Sequence, residues 1–234
     1  MFNVALFGKK YEDTILTVES VYNGETNHCT SINKRLGGVY NFLENKNKKI
    51  SYNPITSGVK EAYIVNNKDN SERTSFVSNI KQTVLTSEAV CKINVADWLH
   101  VCYIDDIEDF KLLSKVTVPI SIDFCNTEPR EKYLKSMQQS SIIFDSRERK
   151  NLYSNIKIST PIIFHDENGF EVHVDSQIVC YGVNEPISNL EVNGAGDMFA
   201  SIFIEKHFNH SIYESAKTAM LETTQYLINR NKYE

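Results

Sequence analysis

Short apolar runs alternate with amphipathic stretches through the middle of the chain. The apolar runs predict strands at residues 98–104, 116–124, 141–144 and 161–164. The stretches between them predict helices at residues 107–114, 129–139 and 146–153. Strands that alternate with helices are typical of a parallel sheet with helices on both faces, so the pattern predicts an α/β fold.

The pattern changes after residue 164. Two β-rich segments flank Asn168 and Gly169, a pair that suits a tight turn, and together they predict a β-hairpin. From Gly194 onward the sequence predicts two consecutive helices with a break near residues 209–210. Ser211 and Glu214 have the spacing of a capping box, which predicts the start of the second helix.

The first half of the chain is less regular. It predicts a strand at residues 3–6, β structure at 14–22 and 73–78, and a helical segment at 38–48. No repeat, low-complexity tract or clear linker divides the 234 residues. We therefore expect a single domain over residues 1–234.

Charge and composition narrow the classes of function. The net charge of -5 argues against a nucleic-acid groove as the main function, because binding to a phosphate backbone needs a concentrated basic surface. No apolar stretch approaches the ~20 residues that span a bilayer, and we expect a cytoplasmic protein without a membrane partner. The five cysteines are widely spaced, which favours reduced thiols over a disulfide framework or a zinc site.

The most informative motif is Asn-Gly-Ala-Gly-Asp at residues 193–197, directly before an apolar helix. We expect Asn193 to cap this helix. The N–H groups of Ala195, Gly196 and Asp197 would then be free at its N-terminus, where they form an anion site. The same residues equally suit an ordinary helix start, in which Asp197 only complements the helix dipole.

This motif, combined with Gly37 and Gly38 early in the chain, resembles the signatures of the ribokinase (PfkB) family of carbohydrate kinases. Gly8 and Asp13 are similar to the family's first strand and substrate-binding aspartate. Residues 37–41, Gly-Gly-Val-Tyr-Asn, resemble its Gly-Gly-x-x-Asn segment beside the sugar. Without the resemblance, the glycine pair is a plain turn and Asp13 a solvated acid.

Later segments extend the resemblance over most of the chain. Residues 98–101 resemble the strand that leads to the middle of the sheet, and residues 122–124 resemble a strand that ends in an aspartate. Asp145 and Glu148 occupy the position of the family's Asn-x-x-Glu, which helps to organise magnesium and phosphates. Taken alone, their spacing is that of a capping box.

The resemblance implies transfer of a phosphoryl group from ATP to a hydroxyl of a sugar or sugar-like molecule. It implies Asp197 as the base and an anion hole made of Gly194, Ala195 and Gly196. The residues it assigns to acceptor binding are Asp13, Gly37, Gly38 and Asn41. Those it assigns to the nucleotide are Asn193, Asp145 and Glu148, with Glu148 also acting indirectly on Mg²⁺.

The resemblance also implies a ribokinase-like, mainly parallel sheet with a small β lid over the substrate. We expect the lid at residues 14–32, with 73–78 as a further candidate, and a homodimer through the lid is an arrangement that fits it. A nucleoside kinase, and a catalytically weakened member that binds a sugar or nucleoside as a sensor, are the alternatives.

One strand differs from the family. The family strand before the nucleotide ends in Thr-x-Gly, whereas this chain has Phe164, His165 and Asp166 there. A phenylalanine has no hydroxyl to donate, and an aspartate that faced the phosphates would repel them. We therefore expect ATP to bind weakly if Asp166 faces the phosphates.

Overall fold

The fold is built on one large sheet, which has a mainly parallel part and a smaller extension. Strand β1 (Phe2–Val18) belongs to both. The computed structural model describes residues 1–45, 49–69, 73–78, 83–107, 110–124, 131–187 and 191–231. The first half of β1 pairs in parallel with β3 (Ile50–Asn67) on one side and with β5 (Trp98–Val101) on the other. Its apolar residues from Val4 to Phe7 are buried, as expected for a strand covered on both faces.

Three more strands continue the parallel part beyond β5. They are β6 (Ile120–Asp123), β7 (Ile142–Ser146) and β8 (Ile162–Asp166), and each pairs in parallel with the one before it. This confirms the predicted mainly parallel sheet. The strands predicted at 98–104 and 116–124 are shorter than expected, because the chain leaves the sheet after Val101 and because Pro119 lacks an N–H group to donate.

Two antiparallel hairpins complete one edge of the sheet. Strands β8 and β9 (Gly169–Val174) form the predicted hairpin, and only Gly169 in its turn has a positive φ, of 142°. Strand β10 (Gln177–Val183) then pairs with β9 and was not predicted. Asp175 and Ser176 form the second turn with φ values of 49° and 64°, the left-handed geometry that two-residue hairpin turns need.

Helices cover the two faces of the parallel strands. Helices α1 (Ser87–Ile93) and α2 (Leu134–Gln139) pack on one face, where Leu99 lies in the core. Helices α3 (Ala195–His207) and α4 (Ile212–Asn231) pack on the other face, where the core contains Trp98. Neighbouring residues of a strand point to opposite faces, which explains this division. None of the helices in the described ranges has the length and apolar character to span a membrane.

The helix predictions are confirmed best at the C-terminus. Ser211 and Glu214 form the expected capping box: the N–H of Glu214 donates to the Ser211 hydroxyl at 3.3 Å, and the N–H of Ser211 donates to the Glu214 carboxylate at 3.2 Å. The helices predicted at 107–114 and 146–153 contain 3-10 helices at Lys111–Lys115 and Arg147–Tyr153. Within the predicted 129–139 helix, Glu131–Tyr133 is also 3-10 and α2 follows. Residues 108, 109, 129 and 130 lie outside the described residues.

The second halves of β1 and β3 continue past the parallel strands as a four-stranded layer. We call it the β extension: residues 10–18, β2 (Cys29–Gly38), residues 59–67 and β4 (Arg73–Val77). The β structure predicted at 73–78 is confirmed, and that at 14–22 ends at Val18. Residues 59–67 were not predicted as a strand. The helical segment predicted at 38–48 is one 3-10 turn at Asn41–Glu44, and residues 46–48 lie outside the described part.

Candidate active site

A cleft of about 250 Å³ lies between the β extension and the start of α3. The carboxyl ends of β5 and β6 form its floor, where open α/β sheets bind their ligands. Its polar lining residues are Tyr11, Asp13, Asn41, Lys60, Arg73, Ser75, Tyr103, Asp105, Asp123, Asn193 and Asp197. Most of the residues that the sequence assigns to the acceptor and the anion hole therefore meet in one place.

The start of α3 differs from the predicted cap. Gly194, and not Asn193, is the N-cap residue; its φ of 77° is left-handed, and no side chain bonds to the helix start. The N–H of Ala195 donates to the carbonyl of Val192 at 3.0 Å, so it is not free. The N–H groups of Gly196 and Asp197 have no partner among the described residues. The anion hole therefore offers two N–H groups where three were expected.

Asn193 lies in the wall of the cleft with an unsatisfied side chain. Only 2% of the residue is exposed, and neither its amide nitrogen nor its amide oxygen has a hydrogen-bond partner in the described part of the chain. A buried amide without partners costs roughly 1–3 kcal/mol. The Asn193 side chain could therefore bond to a ligand in the cleft.

Asp197 is buried beside this helix start. The Asn41 amide donates to Oδ2 of Asp197 at 2.6 Å, and the Tyr103 hydroxyl donates to the same oxygen at 3.0 Å. Burial raises the pKa of Asp197 to about 6, although the bonds from Asn41 and Tyr103 act in the opposite direction. A carboxylate with a pKa near 6 is ionised at pH 7 and is a stronger base than an ordinary aspartate.

Tyr103 is a site residue that the sequence did not reveal. It is the second residue after β5, in a segment that the sequence predicts as strand, and its hydroxyl contacts a residue 94 positions later in the chain. Its ring also packs edge-on against Tyr11 of the β extension, with the ring centroids 5.3 Å apart. A tyrosine just past a strand end on the ligand side of the sheet is the signal that could have identified it.

Asp13 lies on the cleft face of the β extension, opposite Arg35 in the pairing of β1 with β2. Burial raises its pKa, and the charge of Arg35 partly offsets this effect. Gly37 is adjacent: a Cβ atom added there would lie 2.3 Å from Oδ2 of Asp13. A side chain at residue 37 would therefore force the Asp13 carboxylate to move.

Gly38 makes the turn that follows β2. Its φ is 63°, and an added Cβ atom would lie 2.3 Å from the carbonyl oxygen of Lys9. Asn41 comes three residues later, at the start of the 3-10 turn, and lines the cleft with Gly38. Its amide bonds to Asp197, so in this geometry Asn41 orients the carboxylate.

Asp145 and Glu148 do not line the cleft. The carboxylate of Asp145 accepts bonds from the Tyr153 hydroxyl at 2.7 Å, from the Arg149 guanidinium at 2.8 Å and from the N–H of Ser146 at 2.8 Å. Burial raises the pKa of Asp145. Glu148 is exposed on the 3-10 helix, and the two residues do not form the alternative capping box either.

The divergent end of β8 also differs from the expectation. Phe164 is buried in the core, and Asp166 bonds to the Arg147 guanidinium at 3.1 Å, away from the cleft. His165 is the residue of this strand that approaches α3: it stacks on Phe199, and a Cβ atom added to Gly196 would lie 3.5 Å from its Cε1. Asp166 therefore does not line the cleft, and its effect on ATP affinity stays a prediction.

Further charged residues at the cleft were not predicted as site residues. Lys60 and Arg73 reach it from the β extension, and Asp105 and Asp123 from the floor. Burial raises the pKa of both Asp13 and Asp197, and the charge of Arg73 acts in the opposite direction on both. Among the described residues, no cluster of three or more His, Cys, Asp and Glu side chains could hold a metal ion.

Comparisons with known proteins identify the architecture. No protein-family model and no curated protein matches the sequence. A ribokinase from Thermotoga maritima matches with a TM-score of 0.69 and 12% identity, covering 95% of this chain and 92% of its own. An Arabidopsis thaliana ribokinase complexed with ribose and ATP has a TM-score of 0.64, 11% identity and coverages of 95% and 92%.

A third structure is a nucleoside kinase from Methanocaldococcus jannaschii. Its TM-score is 0.62 at 15% identity, and the match covers 94% of this chain and 91% of that one. At such low sequence identity, matches over most of each chain show a shared fold of the backbone. Together with the order and direction of the strands, they confirm the predicted architecture: the chain has the ribokinase-like α/β fold.

Proposed function

We propose that this protein transfers the γ-phosphoryl group of ATP to a hydroxyl of a sugar or sugar-like molecule. The observation that carries the proposal is the start of α3, where a buried carboxylate with a raised pKa lies beside two unbonded N–H groups and the unsatisfied amide of Asn193. A base next to an anion site is what transfer of a phosphoryl group to a hydroxyl requires. A ribokinase of the same fold that is complexed with ribose and ATP supports this assignment.

In the proposed reaction Asp197 accepts the proton of the acceptor hydroxyl. The hydroxyl oxygen bonds to the γ-phosphorus while the bond from this phosphorus to the bridging oxygen breaks, which releases ADP. The N–H groups of Gly196 and Asp197 stabilise the negative charge that develops on the transferred group. Asn41 and Tyr103 hold the carboxylate of Asp197 in one orientation throughout.

We assign acceptor binding to Asp13 on the opposite wall of the cleft. Its carboxylate accepts hydrogen bonds from sugar hydroxyls, and Gly37 and Gly38 keep the backbone close beside it. The β extension then serves as the lid. It includes residues 59–67, which the sequence did not predict as part of a lid, whereas residues 19–28 of the predicted lid are not in strands.

The residues present fit ATP better than they fit a resident Mg²⁺ site. The start of α3 suits the phosphates, and Asp166 lies outside the cleft. Glu148, which the resemblance assigns to Mg²⁺, is exposed and outside the cleft. We therefore assign no residue of this chain to Mg²⁺, which enters with ATP as part of the substrate.

We also propose a homodimer through the outer face of the β extension. Ile32, Leu36, Tyr63 and Phe76 share this face and are exposed by 62%, 41%, 47% and 59%. Exposed apolar side chains gathered on one face of a sheet indicate an interaction surface. Sedimentation of the wild type and of Phe76→Glu tests this, and a monomeric wild type contradicts it.

The activity is tested by incubating the purified protein with Mg-ATP and a panel of sugars and nucleosides. ADP release and a product heavier by one phosphoryl group, seen by mass spectrometry, support the proposal. Calorimetric binding of an acceptor without ADP release would favour the sensor alternative. Preference for a nucleoside over every sugar would favour the nucleoside kinase.

A further inference from the structure

Two arginines from distant parts of the chain meet at the segment before the anion hole. Arg230, near the end of α4, donates to the carbonyl of Asn193 at 2.8 Å, bonds to the carbonyl of Glu191 and pairs with the Glu191 carboxylate at 2.8 Å. Arg35, on β2 of the β extension, donates to the same Asn193 carbonyl at 2.5 Å and to the Glu191 carboxylate at 3.1 Å.

The rest of this segment is bonded as well. The N–H of Asn193 donates to the Glu191 carboxylate at 2.8 Å, and the N–H of Glu191 donates to the Asn231 side chain at 2.8 Å. The charged side chains are largely buried, with exposures of 15% for Arg35, 18% for Glu191 and 10% for Arg230. Residues 191–193 are therefore fixed by side chains and not by a helix or a strand.

This arrangement acts directly on the anion hole. The Asn193 carbonyl belongs to the peptide that leads into Gly194, so two guanidiniums on that oxygen set the plane of this peptide. The plane in turn sets the direction of the first turn of α3, which carries the N–H groups of Gly196 and Asp197. Buried ion pairs are weak evidence for stability, because desolvation offsets much of their attraction. The ion pairs of Arg35 and Arg230 lie directly before the anion hole, which points to a role in its geometry and not in stability.

We propose that Arg230, supported by Arg35, is a positioning residue for phosphoryl transfer that holds residues 191–193 in the geometry the anion hole needs. The inference rests on the proposed function. Arg35 also joins the β extension to this segment, so the anion hole is fully held only when the β extension lies against α3. Neither arginine lines the cleft next to Asp197, so both act through the backbone that they bind.

The test compares Arg230→Ala with Arg147→Ala. Arg147 is a matched control, because it also pairs with two carboxylates, those of Asp166 and Glu171, but lies away from the cleft. We expect Arg230→Ala to lower kcat by roughly 10- to 100-fold, with the KM of the acceptor changed less than threefold, and Arg147→Ala to keep kcat within twofold. An equal kcat in the two variants would overturn the proposal.

A chemical rescue separates positioning from a general loss of folding. Guanidinium chloride at about 50 mM, too dilute to unfold a protein of this size, should restore kcat of Arg230→Ala at least threefold and leave Arg147→Ala unchanged. Absence of rescue in a folded variant would overturn the proposal. If Arg230→Ala does not fold, Arg230→Lys replaces it in the test. The single ammonium group of lysine cannot make the several hydrogen bonds of a planar guanidinium, so a lower kcat supports positioning. A wild-type kcat excludes it.

If wild-type protein transfers phosphate to no acceptor, the proposed function fails and the positioning role is tested by binding. Inorganic phosphate then serves as the probe in calorimetry. Affinity lower by tenfold or more in Arg230→Ala, with Arg147→Ala unchanged, supports the role. Equal affinity in all three proteins, or no phosphate binding by the wild type, overturns it.

Discussion

The two walls of the cleft are held by different kinds of contact. The start of α3 lies between the sheet and α4, and Asn193 and Asp197 are only 2% and 5% exposed. The β extension has water on its outer side: all of β4 is exposed, as are most residues of β2. Burial and many side-chain bonds therefore fix the wall that contains Asp197, whereas strand pairing holds most of the opposite wall.

This difference favours different functions for the two walls, with the chemical step at the start of α3 and acceptor binding at the β extension. A buried wall that cannot adjust suits the chemical step, which depends on sub-ångström geometry. A layer with one exposed side can open and close around an acceptor, because local opening requires less free energy where few apolar contacts are lost. Changes at the start of α3 should therefore act on kcat, and changes in the β extension on KM.

The largest effect should come from Asp197→Asn. Asparagine keeps the shape of the side chain and still accepts bonds from Asn41 and Tyr103, but it cannot take the proton. We expect turnover to fall by ~10²-fold or more with acceptor affinity nearly intact. Steady-state kinetics and calorimetry measure the two quantities, and a variant with wild-type turnover would remove Asp197 from the mechanism.

Stability provides the control for this variant. Burial raises the folded pKa of Asp197 from 3.8 to about 6, so ionisation destabilises the fold as the pH rises through this range. Asp197→Asn removes that penalty, which is at most about 3 kcal/mol at pH 7. Thermal melting should therefore show a more stable variant at pH 7, with a gain that shrinks below pH 6. A less stable variant would mean that its loss of turnover reflects damage.

The position of the start of α3 could be predicted from the sequence because its signal is local, although the N-cap is Gly194 and not Asn193. Five consecutive residues supply the glycines and the proposed base. The parallel strands were also predictable, since isoleucine and phenylalanine recur in the runs at 120–123 and 142–144, which are buried on both faces. The roles of Tyr103 and Arg230 were not, because each depends on a side chain that reaches a distant part of the chain.

The β extension shows why the rest of the fold could not be predicted. Residues 59–67 contain Lys60, Glu61 and two asparagines, and only Ala62 and Ile64 among them are buried. The hydrophobic pattern therefore does not identify a strand. Its pairing with residues 10–18 brings together segments about fifty positions apart, and this pairing is what forms the strand.

The next largest effect should come from Asp13→Asn on the β extension. The loss of a charge-assisted hydrogen bond to an acceptor hydroxyl corresponds to about 1.5–3 kcal/mol, or roughly a 10- to 100-fold rise in the acceptor KM. We expect kcat to change less than threefold. Glu12→Gln is the matched control, because Glu12 is the neighbouring residue and pairs with Lys10 outside the cleft. A loss of kcat equal to the rise in KM would contradict the claim that the β extension acts on KM alone.

A smaller effect should come from Gly194→Ala. The φ of 77° costs an alanine about 1–2 kcal/mol, and its Cβ atom would lie 3.1 Å from the Asn41 amide, which must then shift from Asp197. We expect kcat to fall about tenfold. Gly24→Ala carries the same backbone penalty at φ 82° with no atom within 4 Å, so it should lose stability alone. Equal kinetics in both variants would show that Asn41 does not orient the base.

The smallest effect concerns Tyr103→Phe and appears only in the pH profile. The bond from Tyr103 lowers the pKa of Asp197, so its removal should move the acidic limb of kcat/KM, at about 6 in the wild type, upward by roughly half a unit to one unit. Activity at pH 6 should then fall roughly two- to fivefold while activity at pH 8 changes less than twofold. Tyr153→Phe removes the same kind of bond from buried Asp145, which lies outside the cleft, and should leave the limb in place. An unmoved limb in Tyr103→Phe would mean that a group other than Asp197 controls the acidic side of the profile, and that the buried wall does not set the pKa of the base.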